Sequence, residues 1–400
     1  MGSESEDERC DEILDAFDFP GYRLLLTRDM IRDFEDSYFA HFQHTVALKD
    51  LQRYDEALSA LENAEARAGE HQLHFVYAKR GRVFEDKGDF KEALLWYRKA
   101  IECRPDDNLG YGYMGGMLAR QGNLLEAEQA HRKAIHCTEG YIDEAYLNLG
   151  YVLRARERFT EALECFEKAL ELDAEYEEAK TAIEDMRAVL DHLENDQPKK
   201  TDVMPKGERL AESRNADANE LTVLSLILTR ELIEDYEDYG PAYVYHGIRL
   251  IELARYEEAK DAFEKAMQLL PDDKLHMPHY QMAYVHEFKG DFEEAAEWFK
   301  KAIGLRPQDA EAHGKLGFLL ARQGKLKEAE QCYITALECP EGDLDEVYLN
   351  VGFVLRAQER FDEALEYFEA AFELDPGCEA AELGVKDMKL VNAYLETHPR

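Results

Sequence analysis

Residues 74–105, HFVYAKRGRVFEDKGDFKEALLWYRKAIECRP, carry the period of an α-helix twice over. Tyr77, Gly81 and Phe84 fall four and three residues apart, and Gly88-Asp89 then interrupts the run. Ala93, Tyr97 and Ala100 resume it on one face of a second helix. Pro105 closes that helix, because proline lacks a backbone donor and clashes with the preceding turn. The pattern predicts two amphipathic helices joined by a short turn, with small residues at Gly81, Ala93 and Ala100 letting neighbouring helices approach closely. One such hairpin cannot bury its apolar face alone; stacking on others like it does so.

The hairpin recurs. An aromatic residue or leucine precedes an acidic, alanine-containing helix start at Tyr54, Phe90, Leu124 and Phe159, in steps of 36, 34 and 35 residues, and Tyr256, Phe292, Leu326 and Phe361 repeat those steps. Unequal steps copied in the same order imply that a block of four hairpins was duplicated whole. Tyr146–Asp173 and Tyr348–Asp375 match at 21 of 28 positions, and an offset of 202 residues aligns the two halves without a gap from Leu26 to Met186.

These positions resemble the tetratricopeptide repeat family, whose pattern sets a large residue, Leu-Gly, an aromatic, Ala, an aromatic, Ala and Pro over about 34 residues. Eight units match, beginning near Tyr38, His74, Asn108, Asp143, Gly240, His276, Ala310 and Asp345. The last is nearly complete as Tyr348, Val351-Gly352, Leu355, Ala364, Phe368, Ala371 and Pro376. Departures fall at the closing proline, which is Gly69 in the first unit and Ala174 in the fourth, and at the third-unit turns CTEGYID and CPEGDLD. The resemblance implies an all-α fold, an α-solenoid of helix-turn-helix repeats winding as a right-handed superhelix.

Outside the units, Leu25, Leu26, Met30, Ile31 and Phe34 match Ile227, Leu228, Leu232, Ile233 and Tyr236, implying a leading helix in each half. Ala182, Ile183, Met186, Val189, Leu190 and Leu193, with Val385, Met388, Val391 and Leu395, read as capping helices over the last hairpins. Gly384 is expected to cost the second cap about 1 kcal/mol relative to alanine. Residues 195–219, polar, with two prolines and no apolar period, read as a linker. The expected organisation is an acidic N-terminal tail (1–21), a first four-repeat block (22–194), the linker (195–219) and a second block (220–400).

Composition narrows the partners. The 400 residues hold 48 Lys and Arg against 86 Asp and Glu, a net charge of −38, which repels phosphate backbones and anionic lipid. No nucleic acid or membrane partner is expected. The opening MGSESEDERCDE is acidic where a secretory signal is basic and then apolar, and the apolar stretch at 221–229 is too short to span a bilayer. Seven cysteines without a CxxC pair fit a reducing, cytoplasmic setting, most simply as small apolar filler.

Catalytic constellations are not evident. HxxH pairs occur at His41/His44, His71/His74 and His276/His279 without the glutamate a zinc hydrolase needs, and Pro278 interrupts the third. The glycines of YGYMGGML (111–118) lie within a helix rather than in a phosphate loop. No cofactor, metal or enzymatic activity is expected, and a linker of roughly 25 residues is too short to hide a catalytic domain.

What remains, on the family resemblance, is a groove lined by the first helix of every unit. Counting from the unit starts, the first half offers Lys79, Arg82, Tyr113, Arg120, Asn148, Tyr151 and Arg154. The second half offers Gln281, Tyr284, Lys315, Phe318, Arg322, Asn350, Phe353 and Arg356. Asparagine can hold a peptide backbone, arginine its carboxylates and aromatics its side chains. Asn148 and Asn350 sit where the family commonly uses Asn to bond a ligand backbone, whereas Gly112 and Gly116 replace the Lys and Asn of the family's carboxylate clamp. Duplication alone also accounts for the recurrence of Arg120 at Arg322 and Arg154 at Arg356, and such arginines also form surface ion pairs worth under about 1 kcal/mol each. The expected function is a non-catalytic scaffold or adaptor, monomeric or weakly self-associating, that binds peptide segments of partner proteins in two similar grooves. The alternative is a structural solenoid that self-assembles through its ends or convex face.

Overall fold

A computed structural model of the chain describes residues 6–195, 205–340 and 344–398. Two helices lead, α1 (Glu6–Asp15) and α2 (Pro20–Asp33). Four hairpins follow: α3 and α4 (Tyr38–Asp50, Tyr54–Arg67), α5 and α6 (Leu73–Lys87, Phe90–Cys103), α7 and α8 (Leu109–Arg120, Leu124–Ala134), α9 and α10 (Ile142–Ala155, Phe159–Leu172). A long helix, α11 (Glu177–Asn195), ends the first half. The second half repeats the order. Its leading pair is α12 and α13 (Lys206–Ala218, Thr222–Asp235), and its hairpins are α14 and α15 (Gly240–Glu252, Tyr256–Leu269), α16 and α17 (His276–Lys289, Phe292–Leu305), α18 and α19 (Ala310–Arg322, Leu326–Leu337), α20 and α21 (Leu344–Ala357, Phe361–Leu374). It closes with α22 (Glu379–Thr397). The architecture is all-α, and every second helix starts at the residue the repeat pattern marks.

Each hairpin turns through one residue in left-handed backbone. Gly88, Gly122, Gly290 and Gly324 serve four of them, and Gln52, Glu157, Ala254 and Glu359 serve the others at φ between 54 and 58°. Inside the hairpins, rings from second helices fill the core: Phe166, Phe263, Phe299 and Phe368 are fully buried. A Cβ at Gly150 would stand 2.4 Å from the Phe166 ring and one at Gly352 would stand 2.6 Å from Phe368, so glycine sets the helix spacing at that repeat position. Gly384 belongs to the same packing. Its Cβ would meet Phe368 at 2.7 Å, which is why a residue unfavourable to helices stands there.

Two segments differ from expectation. The stretch read as a linker carries α12, which buries Leu210, Ser213 and Ala216. Ser213 Oγ bonds the Ser225 carbonyl (3.1 Å) and hydroxyl (3.0 Å) of α13, and Glu220 supplies the same left-handed turn as the hairpins, at φ 61°. The stretch read as an acidic tail carries α1, whose Ile13 is buried against Leu26 and Met30 of α2. Part of each segment, residues 1–5 and 196–204, lies outside the described residues, as do 341–343 of the CPEGDLD turn.

The chain divides into two compact units that cut across the duplication. Unit 1 comprises Met1–Trp96 and Arg306–Arg400; unit 2 is Tyr97–Leu305. In unit 1 the first and last segments of the chain pack together, α2 against α22. Asp387 of α22, wholly buried, accepts hydrogen bonds from the backbone N–H groups of Gly21 (3.0 Å) and Tyr22 (2.8 Å) at the start of α2. That capping satisfies donors a helix N-terminus otherwise leaves unpaired. Unit 2 is closed by the twin arrangement, in which buried Asp185 of α11 accepts from Val223 (3.3 Å) and Leu224 (3.4 Å) of α13.

Paired arginines reinforce both closures. Glu359 binds Arg28 at 2.6 and 3.0 Å and also Arg53, while Glu157 binds Arg230 at 2.5 and 3.3 Å and also Arg255. In each case the arginines hold the carboxyl down to about 2; for Glu359 the Arg28 hydrogen bond leads, and for Glu157 the arginines outweigh burial, which pushes upward.

Candidate functional site

The first helices of the hairpins carry the side chains singled out from the repeat pattern. The units redistribute them. Unit 1 holds Lys79 and Arg82 on α5, Lys315, Phe318 and Arg322 on α18, and Asn350, Phe353 and Arg356 on α20. Unit 2 holds Tyr113 and Arg120 on α7, Asn148, Tyr151 and Arg154 on α9, and Gln281 and Tyr284 on α16. Residues grouped by sequence half are therefore separated, and residues from opposite halves share a unit.

Arg154 and Arg356 serve the closures. Arg356 is 8% exposed, donates to Asp387 at 3.0 Å and lies over Phe353 (5.1 Å) and Phe368 (5.6 Å). Arg154 reaches Asp185 at 3.5 Å and lies over Tyr151 at 4.9 Å. Both aspartates have raised pKa values because burial disfavours the charge, with the arginine opposing. These are desolvated pairs, unlike the weak surface pairs expected from sequence. Removing one partner of such a pair strands a buried charge, which costs about 3–5 kcal/mol.

The remaining positions are more accessible. Phe318 is exposed with Arg322 over its ring at 5.9 Å, and Lys315 pairs with Glu346 at 3.2 Å. Arg120 is exposed, whereas Tyr113, Asn148, Gln281 and Asn350 are half-buried. Tyr284 stacks on Phe288 (6.2 Å) and bonds the Tyr280 hydroxyl (3.1 Å).

Two clusters take in residues beyond the repeat count. In unit 1, buried Arg23 of α2 pairs with Asp50, and Lys49 reaches both Asp50 (2.9 Å) and Asp86 (3.6 Å). Lys79 lies 5.7 Å above the Phe42 ring. Burial, and then the charges of Lys49, Arg82 and Arg23, lower its ammonium to about 8. In unit 2, Tyr256, Tyr280, Tyr284 and Phe288 form a chain of rings with centroids 5.2–6.2 Å apart. Arg23 lies on a leading helix, outside the repeat register; comparing the two halves position by position would have found it.

Among the described residues, no group of three or more His, Cys, Asp or Glu side chains is placed to hold a metal ion, and no helix is long and apolar enough to cross a membrane. His41 Nε2 bonds the Glu35 carbonyl (3.0 Å) and His279 Nδ1 the Leu275 carbonyl (2.7 Å).

Comparison with known proteins places tetratricopeptide patterns along both halves. The cilia and flagella-associated protein 70 middle TPR-like domain matches residues 279–395, and tetratricopeptide repeat patterns match 46–108, 143–176 and 250–273. Tetratricopeptide repeat protein 7A of Homo sapiens is 37% identical over 101 residues, covering 25% of this chain and 12% of that protein. This chain thus matches only a small part of that relative's length. DnaJ homolog subfamily C member 7 of Mus musculus is 22% identical over 355 residues, covering 80% of this chain and 69% of the relative. The solved anaphase-promoting complex hetero-tetramer Cut9–Hcn1 aligns at 14% identity with a TM-score of 0.41, over 98% of this chain and 93% of that one.

Proposed function

Because the chain belongs to the tetratricopeptide repeat family, we propose that it is a protein-interaction scaffold that binds peptide segments of partner proteins on the first-helix surfaces of its two units. The observation that carries this reading is the gathering of cations and aromatic rings on those helices in a chain of net charge −38. Lys79 lies over Phe42 and Arg322 over Phe318 in unit 1, and in unit 2 Arg120 acts on Tyr256, at the start of the second helix α15, whose ring continues the row of Tyr284 and Phe288 on α16. Arginine and aromatic side chains are those that most often anchor an interface. The proposed site is the accessible set Lys79, Arg82, Tyr113, Arg120, Asn148, Tyr151, Gln281, Tyr284, Lys315, Phe318, Arg322, Asn350 and Phe353. Arg154 and Arg356 are left out of it because each is committed to a buried aspartate. Two linked surfaces raise avidity for a partner that carries two motifs or is itself dimeric. The proposal includes a cytoplasmic setting, a monomeric or weakly associating chain and no catalytic role.

A second reading is favoured by exposed leucines on second helices, Leu95, Leu125 and Leu305, which would suit contacts through the opposite face. Affinity capture from lysate separates the two. The comparison is wild type against Arg120→Glu/Arg322→Glu, both changes leaving the aspartate closures intact. Partners lost with the variant support first-helix binding; equal recovery contradicts it.

A further inference from the structure

Each closure joins the end of one duplicated block to the start of the other. The end pieces carry one motif, Asp185-Met186 with Val189 on α11 and Asp387-Met388 with Val391 on α22, and all six residues are wholly buried. The start pieces meet it with the same groups: two backbone N–H donors at the head of α2 or α13, then Arg28 or Arg230. The charged residues around them correspond as well, Arg154 with Arg356, Glu157 with Glu359 and Arg53 with Arg255. One interface is therefore used twice.

The two uses differ in how the chain connects their sides. In unit 2 the donor Val223 lies 38 residues from Asp185, whereas in unit 1 Gly21 lies 366 residues from Asp387. Unit 1 is built from two stretches, Met1–Trp96 and Arg306–Arg400, with all of Tyr97–Leu305 between them in sequence. Only non-covalent contacts hold those stretches to one another. Gly21 makes room for Met388, since a Cβ there would stand 2.9 Å from the Met388 Cε. Tyr22 meets the Tyr394 ring edge-on at 5.8 Å, and Leu25 is buried in one cluster with Phe368, Met388 and Val391. Glu359 adds its pairs with Arg28 and Arg53. None of these contacts depends on both stretches belonging to the same molecule. An interface between unlike surfaces of like blocks either closes on itself or continues onto another copy.

We propose that the unit 1 closure is also an interaction surface for a second copy of this chain, in which residues 306–400 of one copy complete residues 1–96 of the other. Such an exchange keeps every contact of the closure, so the exchanged and self-closed forms differ mainly in the entropy lost on association. The exchanged form therefore gains with protein concentration. Each copy carries a net charge of −38, and their repulsion weakens as salt rises toward physiological strength, where the Debye length is about 8 Å. Unit 2 is one continuous stretch and is closed within its own copy. No partner protein of the scaffold is required.

The test reverses charges across the closure. Glu359→Arg sets like charges against Arg28 and Arg53, and Arg28→Glu/Arg53→Glu sets like charges against Glu359, so each variant is mismatched when it closes on itself. Mixed, the two match at both junctions. The full-length variants are refolded from urea separately and as an equimolar mixture at physiological salt. Size exclusion with light scattering then reads their masses, and circular dichroism follows their helix content. The expected result is a species of twice the monomer mass in the mixture, at least about tenfold more abundant than in either variant alone. Arg28→Glu/Arg53→Glu/Glu359→Arg in one chain should return to a monomer, because its closure is again matched within the molecule. Wild type bearing two different tags, refolded together at high concentration, should yield a minor fraction that co-purifies through both. No dimer in the mixture overturns the proposal, whether or not the separate variants fold. A dimer equally abundant in one variant alone or in the triple variant overturns it as well, as does wild type that never co-purifies.

Discussion

His44, His246 and His131 show what burial does to single residues here. Each imidazole is lowered to about 4, chiefly because burial disfavours its charge; nearby arginines add to the effect at His44 and His246. His44 and His246 occupy equivalent positions and bond Thr27 and Thr229 at 2.9 Å. A folded-state pKa below the unfolded 6.5 means that the unfolded chain takes up protons first, so stability falls as pH drops from about 6.5 to 4 and the loss levels off below that. Each fully shifted histidine accounts for on the order of 3 kcal/mol across the window. Urea midpoints between pH 7 and pH 4.5 should fall steeply, and His44→Gln/His246→Gln should flatten the slope. A midpoint indifferent to pH over that range would contradict the assignment.

At the scale of elements, the aspartate closures join segments that lie 365 and 366 residues apart in unit 1. Asp387→Ala removes the acceptors for two N–H groups of α2 and leaves Arg356 buried without its partner, with an expected loss of about 3–5 kcal/mol. Hydrogen exchange should show α1 and α2 opening first, while α13, held by Asp185, keeps its protection. Uniform loss of protection would mean that the closure is not a local device.

The hairpins were legible because their period is local: Tyr54, Phe90 and Phe361 begin helices where the pattern places them. The α12 helix was not, because small and polar residues, Ser213 and Ala216, occupy two of its three buried positions and give no apolar stripe. Nor was the pairing of α2 with α22, which depends on a carboxylate whose partner segment is remote in sequence. The same distinction applies at the site. The repeat register placed Lys79, Arg82 and Phe318 on first helices, whereas the commitment of Arg154 and Arg356 to buried aspartates, and the pairing of Arg23 with Asp50, came only from tertiary contacts.

For the molecule as a whole, the scaffold proposal puts partner proteins on the first helices and leaves the acidic remainder to serve solubility. Both faces offer side chains that report on this. First helices present Tyr113, Tyr284, Phe318 and Phe353; second helices present exposed Leu95, Leu125 and Leu305. Hydroxyl-radical footprinting of the full chain, free and bound to a captured partner, reads them in one experiment. Protection is expected at Tyr113, Tyr284, Phe318 or Phe353 with the three leucines unchanged. Protection of the leucines with the first-helix rings unchanged would contradict it.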